Sequence, residues 1–235
     1  MHFPLPLQPA IFLRRYQRFL VDVQLPDGQE ITVHCPNTGS MLGCLAPGCP
    51  VRLLAAENPK RRYRYTLEMT RPAGEWIGVN TSRTNALVRE ALMNGVVSEL
   101  GPIDHCRAEV RVGEGSRLDF LLHSRGQAIY LEVKNCTLTE DGTALFPDAV
   151  TTRGSKHLRE LMALRRQGHG AVIFFCVQRG DASRFAPASH IDPLYARTLH
   201  DAARAGVRVL AYQAEVGEEG IVIRRPLPVE LGVVA

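Results

Sequence analysis

Residues 115–134, which read GSRLDFLLHSRGQAIYLEVK, decide the fold. Two apolar-rich runs flank residues 124–127, whose Ser-Arg-Gly-Gln composition is typical of a tight turn, so the stretch predicts a β-hairpin. Antiparallel pairing across this turn places Asp119 opposite Glu132. Because side chains alternate along a strand, these two carboxylates and Lys134 are expected on one face, and apolar side chains on the other.

Two carboxylates directly opposite each other repel unless a positive charge lies between them. A divalent cation held by Asp119 and Glu132 removes that repulsion, and Lys134 lies one pleat further along. An Asp followed on the next strand by Glu-x-Lys resembles the PD-(D/E)xK nucleases, in which the acids hold Mg²⁺ and the lysine positions the attacking water. The alternative interpretation is the ordinary solvated face of an amphipathic hairpin.

Composition indicates a globular chain with a mild basic excess. The 235 residues are 45% hydrophobic and carry a formal net charge of +4. Residues 1–80 hold nine Arg and Lys against six Asp and Glu, so the excess is concentrated in the first third, which is compatible with nucleic-acid binding. No run approaches the roughly 20 apolar residues of a membrane span. We therefore expect no membrane association.

The six cysteines contain no C-x-x-C pair, and we expect no signal peptide ahead of them. They are expected to be reduced thiols in a cytoplasmic protein. A zinc site built from His34, Cys35, Cys44 and Cys49 is an alternative, although its spacing is not a usual one for zinc.

Residues 1–82 are expected to form a small OB-like β-barrel. Alternating segments at 19–25 and 30–35 flank an Asp-Gly turn, and further short strands are predicted at 51–54, 62–69 and 76–79. OB barrels often bind nucleic acid through a charged groove lined with aromatic rings. The candidate contacts in this region are Arg14, Arg15, Arg18, Lys60, Arg61, Arg62 and Arg64. The alternative is a solvated basic face over buried tyrosines.

Residues 83–235 predict a helix, three strands, a second helix and a strand, followed by a further helix–strand pair. That order is the core order of the restriction-endonuclease-like fold. In that fold an acid from the opening helix often joins those of the strands, which points to Glu90 here, with Glu109 as its rival. Lys156 and His157, in the first turn of the helix predicted at 153–167, are candidate contacts to the phosphate beside the scissile bond.

Several long strings resemble, in the same order, the bacterial sugar fermentation stimulation protein A family. They are RYQRFLVDV (15–23), HCPNTGSM (34–41), ENPKRRYRY (57–65), VNTSRTN (79–85), GSRLDFLL (115–122), LEVKNCTL (131–138), LFPDAVTTRGSKHLREL (145–161) and IDPLYA (191–196). The resemblance implies an OB-like first domain, a PD-(D/E)xK-like second domain and DNA binding. It also implies a link to sugar metabolism, particularly that of maltose.

Two functions follow from these expectations. The first is a Mg²⁺-dependent nuclease in which Asp119 and Glu132 hold the metal, Glu90 or Glu109 completes its shell and Lys134 orients water. The second is a DNA-binding regulator of sugar metabolism genes that keeps the fold but makes no cut. In both, DNA is expected to bind without sequence preference, and a homodimer is left open.

Overall fold

The computed structural model describes residues 1–58, 60–113 and 115–232. The first part of the chain is a closed five-stranded barrel in which each strand pairs with two others: β1 with β2 and β4, and β3 with β2 and β5. The parallel contact of β3 with β5 completes the ring, as the expected OB-like barrel requires. The strands are β1 (Gln8–Tyr16), β2 (Leu20–Gln24), β3 (Glu30–His34), β4 (Pro50–Ala55) and β5 (Tyr65–Thr70), and a short β6 (Ile77–Gly78) pairs with β5.

Two sequence expectations for the barrel were wrong. Strand β1 was not predicted, and its pairing with β2 is interrupted by a register shift between Phe12 and Arg14, which breaks the alternation of side chains. Strand β5 begins only at Tyr65. Arg62 and Arg64, which the sequence placed within a strand at 62–69, therefore precede the strand.

The second part of the chain is built on a six-stranded sheet with the order β15-β14-β12-β9-β8-β7. Strands β7, β8 and β9 form an antiparallel meander, β12 and β14 add in parallel, and β15 pairs antiparallel with β14. These strands are β7 (His105–Val112), β8 (Ser116–Ser124), β9 (Gln127–Cys136), β12 (Gly170–Val177), β14 (Arg208–Val216) and β15 (Ile221–Pro226).

Helices cover both faces of this sheet. Helix α1 (Thr84–Met93) packs on one face, and α2 (Thr152–Arg166) and α3 (Pro193–Arg204) pack on the other. The two cores meet across β12, all of whose residues are buried, as its continuous apolar run predicts. Because α2 lies over it, the polar face of the β8–β9 hairpin is not a solvated surface, and that alternative was wrong.

A small three-stranded sheet follows β9 where the sequence suggested only a polar stretch. It consists of β10 (Leu138–Glu140), β11 (Thr143–Phe146) and β13 (Arg184–Pro187), in the order β10-β11-β13. Its alternating pattern is too short to be recognised from sequence. Its strands β10 and β11 carry the chain from the end of β9 toward α2, and β13 joins them from after β12.

The barrel and the second domain are joined by backbone and side-chain contacts. A β-bridge pairs Ile77 with Arg179, and the Gly78 N–H donates to the carbonyl of Gln178 at 2.9 Å. On the other side of the junction, Asp148 accepts from the Ser40 hydroxyl at 2.8 Å and the Met41 N–H at 3.0 Å. These contacts fix the two domains against each other.

All six cysteines are free thiols, as expected. Cys35, Cys44 and Cys49 lie within the apolar core of the barrel. Within residues 1–58, 60–113 and 115–232, no three His, Cys, Asp or Glu side chains are grouped so as to hold a metal ion. The alternative zinc ligands His34, Cys35, Cys44 and Cys49 therefore do not form such a group. In the same ranges, none of the helices is long and apolar enough to cross a membrane.

Candidate active site

Asp119 lies where the pairing of β8 is interrupted on both sides. The β8–β9 ladder has the predicted register over five pairs but ends at Phe120 with Leu131, so Asp119 and Glu132 are not a paired couple. On the other side, the β7–β8 ladder includes no pair between Asp119 and Glu109. The Asp119 carboxylate uses the opening: its Oδ2 accepts from the Val133 N–H at 2.8 Å. The acid is thereby held next to Glu132 by the backbone itself.

Glu132 is the most enclosed carboxylate of the cluster, with 4% of its surface exposed. Its Oε1 accepts from Lys134 Nζ at 2.7 Å and is in direct contact with Nδ1 of His157 on α2. Lys134 Nζ also lies 3.4 Å from His157 Nδ1, so the three side chains form one connected group. The predicted Glu-x-Lys pair is therefore joined by a histidine on the helix above it.

The two carboxylates have opposite pKa shifts. Burial, followed by the nearby charge of Glu132, raises the pKa of Asp119 to about 6, although its hydrogen bonds from Val133 and Asn85 act against the rise. Burial acts in the same direction on Glu132, but the His157 hydrogen bond and the Lys134 charge outweigh it and lower the Glu132 pKa below its ordinary value. The site therefore holds one stable carboxylate beside one whose charge is poorly compensated.

Asn85 is a site residue that sequence reasoning missed. It lies in the first turn of α1, and its side-chain amide donates to Asp119 Oδ1 at 2.8 Å. Nothing in the sequence marks one asparagine on a helix as a partner of a strand 34 positions later. The string VNTSRTN, which ends at Asn85, was noted only as part of the family resemblance.

The two candidates for a third acid are placed elsewhere. Glu90 pairs with the amino group of Met1 at 2.7 Å, beside β15. Glu109 has 63% of its side chain exposed and pairs loosely with Arg117 at 3.9 Å. Among the hydrogen bonds and ion pairs of the described residues, neither glutamate contacts Asp119 or Glu132.

Helix α2 brings basic groups to the same site. His157 is buried, Lys156 is exposed, and Arg153 Nε lies 3.5 Å from His157 Nε2. The helix begins at Thr152, after Thr151 caps it by accepting from the Gly154 N–H, and its first turn contains no acidic residue. A helix start with basic side chains favours anionic ligands such as phosphate.

The candidate nucleic-acid contacts on the barrel fall into two kinds. The guanidinium of Arg15 is engaged in hydrogen bonds within the barrel domain. It donates to the carbonyls of Arg18, Asn37, Gly39 and Ser40 at 2.8–3.1 Å. Arg14 pairs with Asp22, and Arg61 contacts Thr66 and His34. Arg18, Lys60, Arg62 and Arg64 are exposed. They are the candidates best placed to contact a ligand.

The donor set around Asp119 and Glu132 fits a hard divalent cation. Carboxylate oxygens are the ligands that Mg²⁺ and Ca²⁺ prefer, and each oxygen of Asp119 keeps a further lone pair beyond its hydrogen bond. Within the described residues no hydrogen bond reaches Oε2 of Glu132, which leaves that atom available. Mg²⁺ commonly uses one or two carboxylates and completes its shell with water and substrate phosphate, so a third acid is not required.

Comparisons with known proteins cover both domains. A model of the sugar fermentation stimulation protein RE domain matches residues 82–220, and a model of the SfsA N-terminal OB domain matches residues 13–79. The sugar fermentation stimulation protein homolog of Geotalea uraniireducens is 53% identical over 231 residues, covering 98% of this chain and 100% of that protein. Its counterpart in Geobacter sulfurreducens is 55% identical over 232 residues, covering 99% and 100%. A solved structure of Pyrococcus furiosus SfsA in complex with Ca²⁺ superimposes with a TM-score of 0.89 at 31% identity, covering 98% of each chain.

Proposed function

This chain belongs to the sugar fermentation stimulation protein family, and on that premise we propose that it is a DNA-binding protein whose second domain is a Mg²⁺-dependent nuclease. The observation that carries the proposal is that the Val133 N–H holds the carboxylate of Asp119 close to that of Glu132 in a partly buried site, next to Lys134. Burying two adjacent carboxylates costs free energy, and a bound cation offsets that cost. The raised pKa of Asp119 is the electrostatic signature of this arrangement.

A relative supports the cation. The Pyrococcus furiosus protein, whose fold covers 98% of this chain, was solved in complex with Ca²⁺. Ca²⁺ and Mg²⁺ share a preference for oxygen ligands and differ in size and coordination. We assign Mg²⁺ as the working ion of this chain, held by Asp119 and Glu132.

Bound Mg²⁺ supplies Lewis-acid stabilisation of the charge that develops on a phosphate during hydrolysis. The chain's own residues have separate tasks. Asn85 and the Val133 N–H orient Asp119, and His157 fixes the Glu132 carboxylate. Lys134 carries three N–H donors on a nearly buried ammonium, so it is suited to orient a water molecule toward phosphorus. Arg153 and Lys156 are placed to contact the neighbouring phosphate.

The DNA contacts are proposed to be independent of sequence. The exposed basic side chains of the barrel and of α2 reach the phosphate backbone, which carries no sequence information. A cleaving site inside a single chain of this kind needs no second copy to complete it, since Asp119, Glu132 and Lys134 all come from one hairpin.

A cleavage assay tests the proposal. Labelled DNA is incubated with wild-type protein in Mg²⁺ or in EDTA, and with the Glu132→Gln and Lys134→Ala variants. Glu215→Gln serves as the matched control, because Glu215 is an exposed carboxylate paired with Arg224 outside the site. Cleavage is expected only with Mg²⁺, lost in both site variants and retained in the control. Cleavage that persists in EDTA or in Glu132→Gln contradicts the proposal.

The second candidate, a DNA-binding regulator of sugar metabolism genes that does not cut, is favoured by one observation. Glu132 is already compensated by Lys134 and His157, so this carboxylate is satisfied without a cation. The two functions separate in the same assay. A regulator binds DNA equally well with Mg²⁺ and EDTA and leaves it intact under both conditions.

A further inference from the structure

Three adjoining hollows follow the segment 34–41 where the barrel meets the second domain. The barrel-side hollow, of about 580 Å³, is lined by His34 and Pro36, and the middle hollow, of about 210 Å³, by Asn37 and Thr38. The helix-side hollow, of about 530 Å³, shares Thr38 with the middle one and extends to Arg18. We call this series the interdomain cleft. The middle and helix-side hollows share lining residues, whereas the barrel-side hollow adjoins them through chain neighbours in segments 36–37 and 80–83.

The interdomain cleft passes the strand end that carries the candidate site. Asn135, which lines the middle hollow, directly follows Lys134 on β9. Thr151, which lines the helix-side hollow, caps the helix that carries Arg153 and His157. A ligand that fills the cleft therefore passes chain neighbours of Lys134 and Arg153, although Asp119, Glu132 and Lys134 line none of the three hollows.

The lining suits a polyanion. In the barrel-side hollow, Arg83 uses Nε and Nη2 to hold the buried Glu68, while no hydrogen bond within the described residues engages its Nη1. In the helix-side hollow Arg18 is exposed and makes no ion pair within those residues. Of the carboxylates along the path, Glu68 has both oxygens bonded by Asn80 and Arg83, Asp148 accepts two hydrogen bonds on Oδ2 alone, and Glu57 is exposed.

Apolar surface lies beside Arg18 at the helix-side end of the cleft. Val150, which lines the helix-side hollow, is 73% exposed, and Phe19, next to Arg18 in sequence, is 44% exposed. Aromatic rings beside a basic groove are the stacking surfaces on which unpaired bases rest, so Phe19 is the stacking candidate and Val150 adds apolar contact. In a duplex the bases are already stacked on one another and are not available for such contacts.

The cleft is also too narrow and too fixed for a duplex. The middle hollow is smaller than the roughly 300–1,000 Å³ of an ordinary ligand pocket, which leaves room for one flat group. Its walls belong to different domains, but the hydrogen bond of Ser40 with Asp148 joins them, and the hydrogen bond of Thr81 with the Pro36 carbonyl fixes the wall on the barrel side. Widening the cleft requires breaking these contacts.

We infer that the interdomain cleft binds an extended single strand of DNA and delivers it to the site at Asp119 and Glu132. The inference rests on the proposed function, since it names the substrate class of that site. It assigns backbone contacts to Arg18 and Arg83, base stacking to Phe19 and apolar contact with a base to Val150.

Binding measured without cleavage tests this inference. Fluorescence anisotropy in EDTA compares an oligothymidylate of about 20 nucleotides with a blunt duplex of the same length. Wild type is expected to bind the single strand more tightly. Thr38→Trp, which fills the cleft where two hollows meet, and Arg18→Glu, which reverses its charge, are expected to weaken that binding about tenfold or more.

Matched controls lie on the exposed edge strand β7. Ala108→Trp adds the same ring and Arg107→Glu makes the same charge change, and both are expected to bind the single strand within about twofold of wild type. Thermal melts establish that each variant is folded. If Thr38→Trp does not fold, Arg18→Glu and the strand preference of wild type still decide the result. The inference is overturned if the duplex binds as tightly as the single strand, or if the folded cleft variants bind it like wild type.

The outcome is separate from that of the cleavage assay. Cleft-dependent binding of the single strand with no Mg²⁺-dependent cleavage contradicts the proposed nuclease and leaves the cleft intact as a binding site. Glu132-dependent cleavage with unchanged binding by the cleft variants contradicts the cleft alone.

Discussion

The carboxylate of Asp119 accepts a hydrogen bond of 2.8 Å from the backbone N–H of Val133, just beyond the last pair of the β8–β9 ladder. A side chain thus takes over where strand pairing ends. Because Val133 follows Glu132, this bond sets the separation of the two acids through the backbone. The site is therefore built by a local opening of the sheet, and several measurable consequences follow.

Asp119 is expected to make the protein less stable as pH rises from about 4 to 6 in the absence of metal. Its pKa in the folded state is about 6 against an ordinary value of 3.8, so within this window the folded chain binds more protons than the unfolded chain. The loss amounts to about 2–3 kcal/mol of unfolding free energy across the window. Urea unfolding of wild type and Asp119→Asn at pH 4, 5, 6 and 7 measures it.

Asp119→Asn removes the pH-dependent contribution of Asp119 to stability. The free energy of unfolding of this variant is therefore expected to increase relative to that of wild type as pH increases. Glu132 affects the free energy of unfolding at lower pH than Asp119, and its stabilising contribution is lost as pH falls. Its pKa is lowered in the folded state, so its contribution is retained above its ordinary value of 4.5 and is lost only at more acidic pH. Parallel curves for wild type and Asp119→Asn between pH 4 and 6 contradict the proposed electrostatics.

Asn85 is expected to position Asp119 for metal, whereas Glu90 is not. Asn85→Ala removes the 2.8 Å hydrogen bond to Oδ1 and is expected to weaken Mg²⁺ binding severalfold. Glu90→Gln changes a carboxylate that pairs with the amino terminus and is expected to leave Mg²⁺ affinity as in wild type. Isothermal titration calorimetry on both variants measures the affinities. The reverse order of effects assigns the third acid to Glu90, as the sequence suggested.

The ion pair of Glu68 with Arg83 is expected to be the most sensitive charge pair of the barrel. Glu68 is fully buried, and both of its oxygens accept from Arg83 and from Asn80. Glu68→Gln leaves Arg83 without its partner and is expected to cost about 3–5 kcal/mol of unfolding free energy. Glu215→Gln, which breaks an exposed pair with Arg224, is expected to cost less than about 1 kcal/mol. Similar urea midpoints for the two variants argue against this assignment.

The arginines of the barrel are expected to separate into structural and ligand-binding groups. Arg15→Ala removes four hydrogen bonds to loop carbonyls and is expected to lower the melting temperature. Arg62→Ala with Arg64→Ala is expected to leave the melting temperature unchanged but to weaken DNA binding and reduce its salt dependence, since fewer counterions are released. Anisotropy titrations at several salt concentrations measure the slope. An unchanged slope moves the DNA contacts away from residues 62–64.

Sequence reasoning succeeded where local pattern determines structure. The turn at residues 124–127 and the alternation beside it predicted the register of five β8–β9 pairs. The pairing ends at Phe120, however, and the two oxygens of Asp119 accept separately from Asn85 and from the Val133 N–H. No pattern within the hairpin reveals a partner on α1.

Tertiary contacts also determine the burial of the site and the hydrogen-bond partners of Arg15. Alternation predicts one face for Asp119, Glu132 and Lys134, but their enclosure comes from His157 of α2, which contacts Glu132 and Lys134, and from Asn85 of α1, which contacts Asp119. Arg15 lies in a basic cluster that looks like a ligand surface, yet the loop at residues 37–40 folds back onto it. Contacts between segments distant in sequence account for both results.

Thermal melts of wild type and Glu132→Gln, each with and without Mg²⁺, test the central claim that Asp119 and Glu132 hold a divalent cation. A ligand that binds only the folded state stabilises it by RT ln(1 + [L]/Kd), about 2.7 kcal/mol at a hundred times Kd. Mg²⁺ is expected to raise the melting temperature of wild type and to leave that of Glu132→Gln unchanged. Equal shifts in the two proteins, or no shift in wild type at saturating Mg²⁺, contradict the claim.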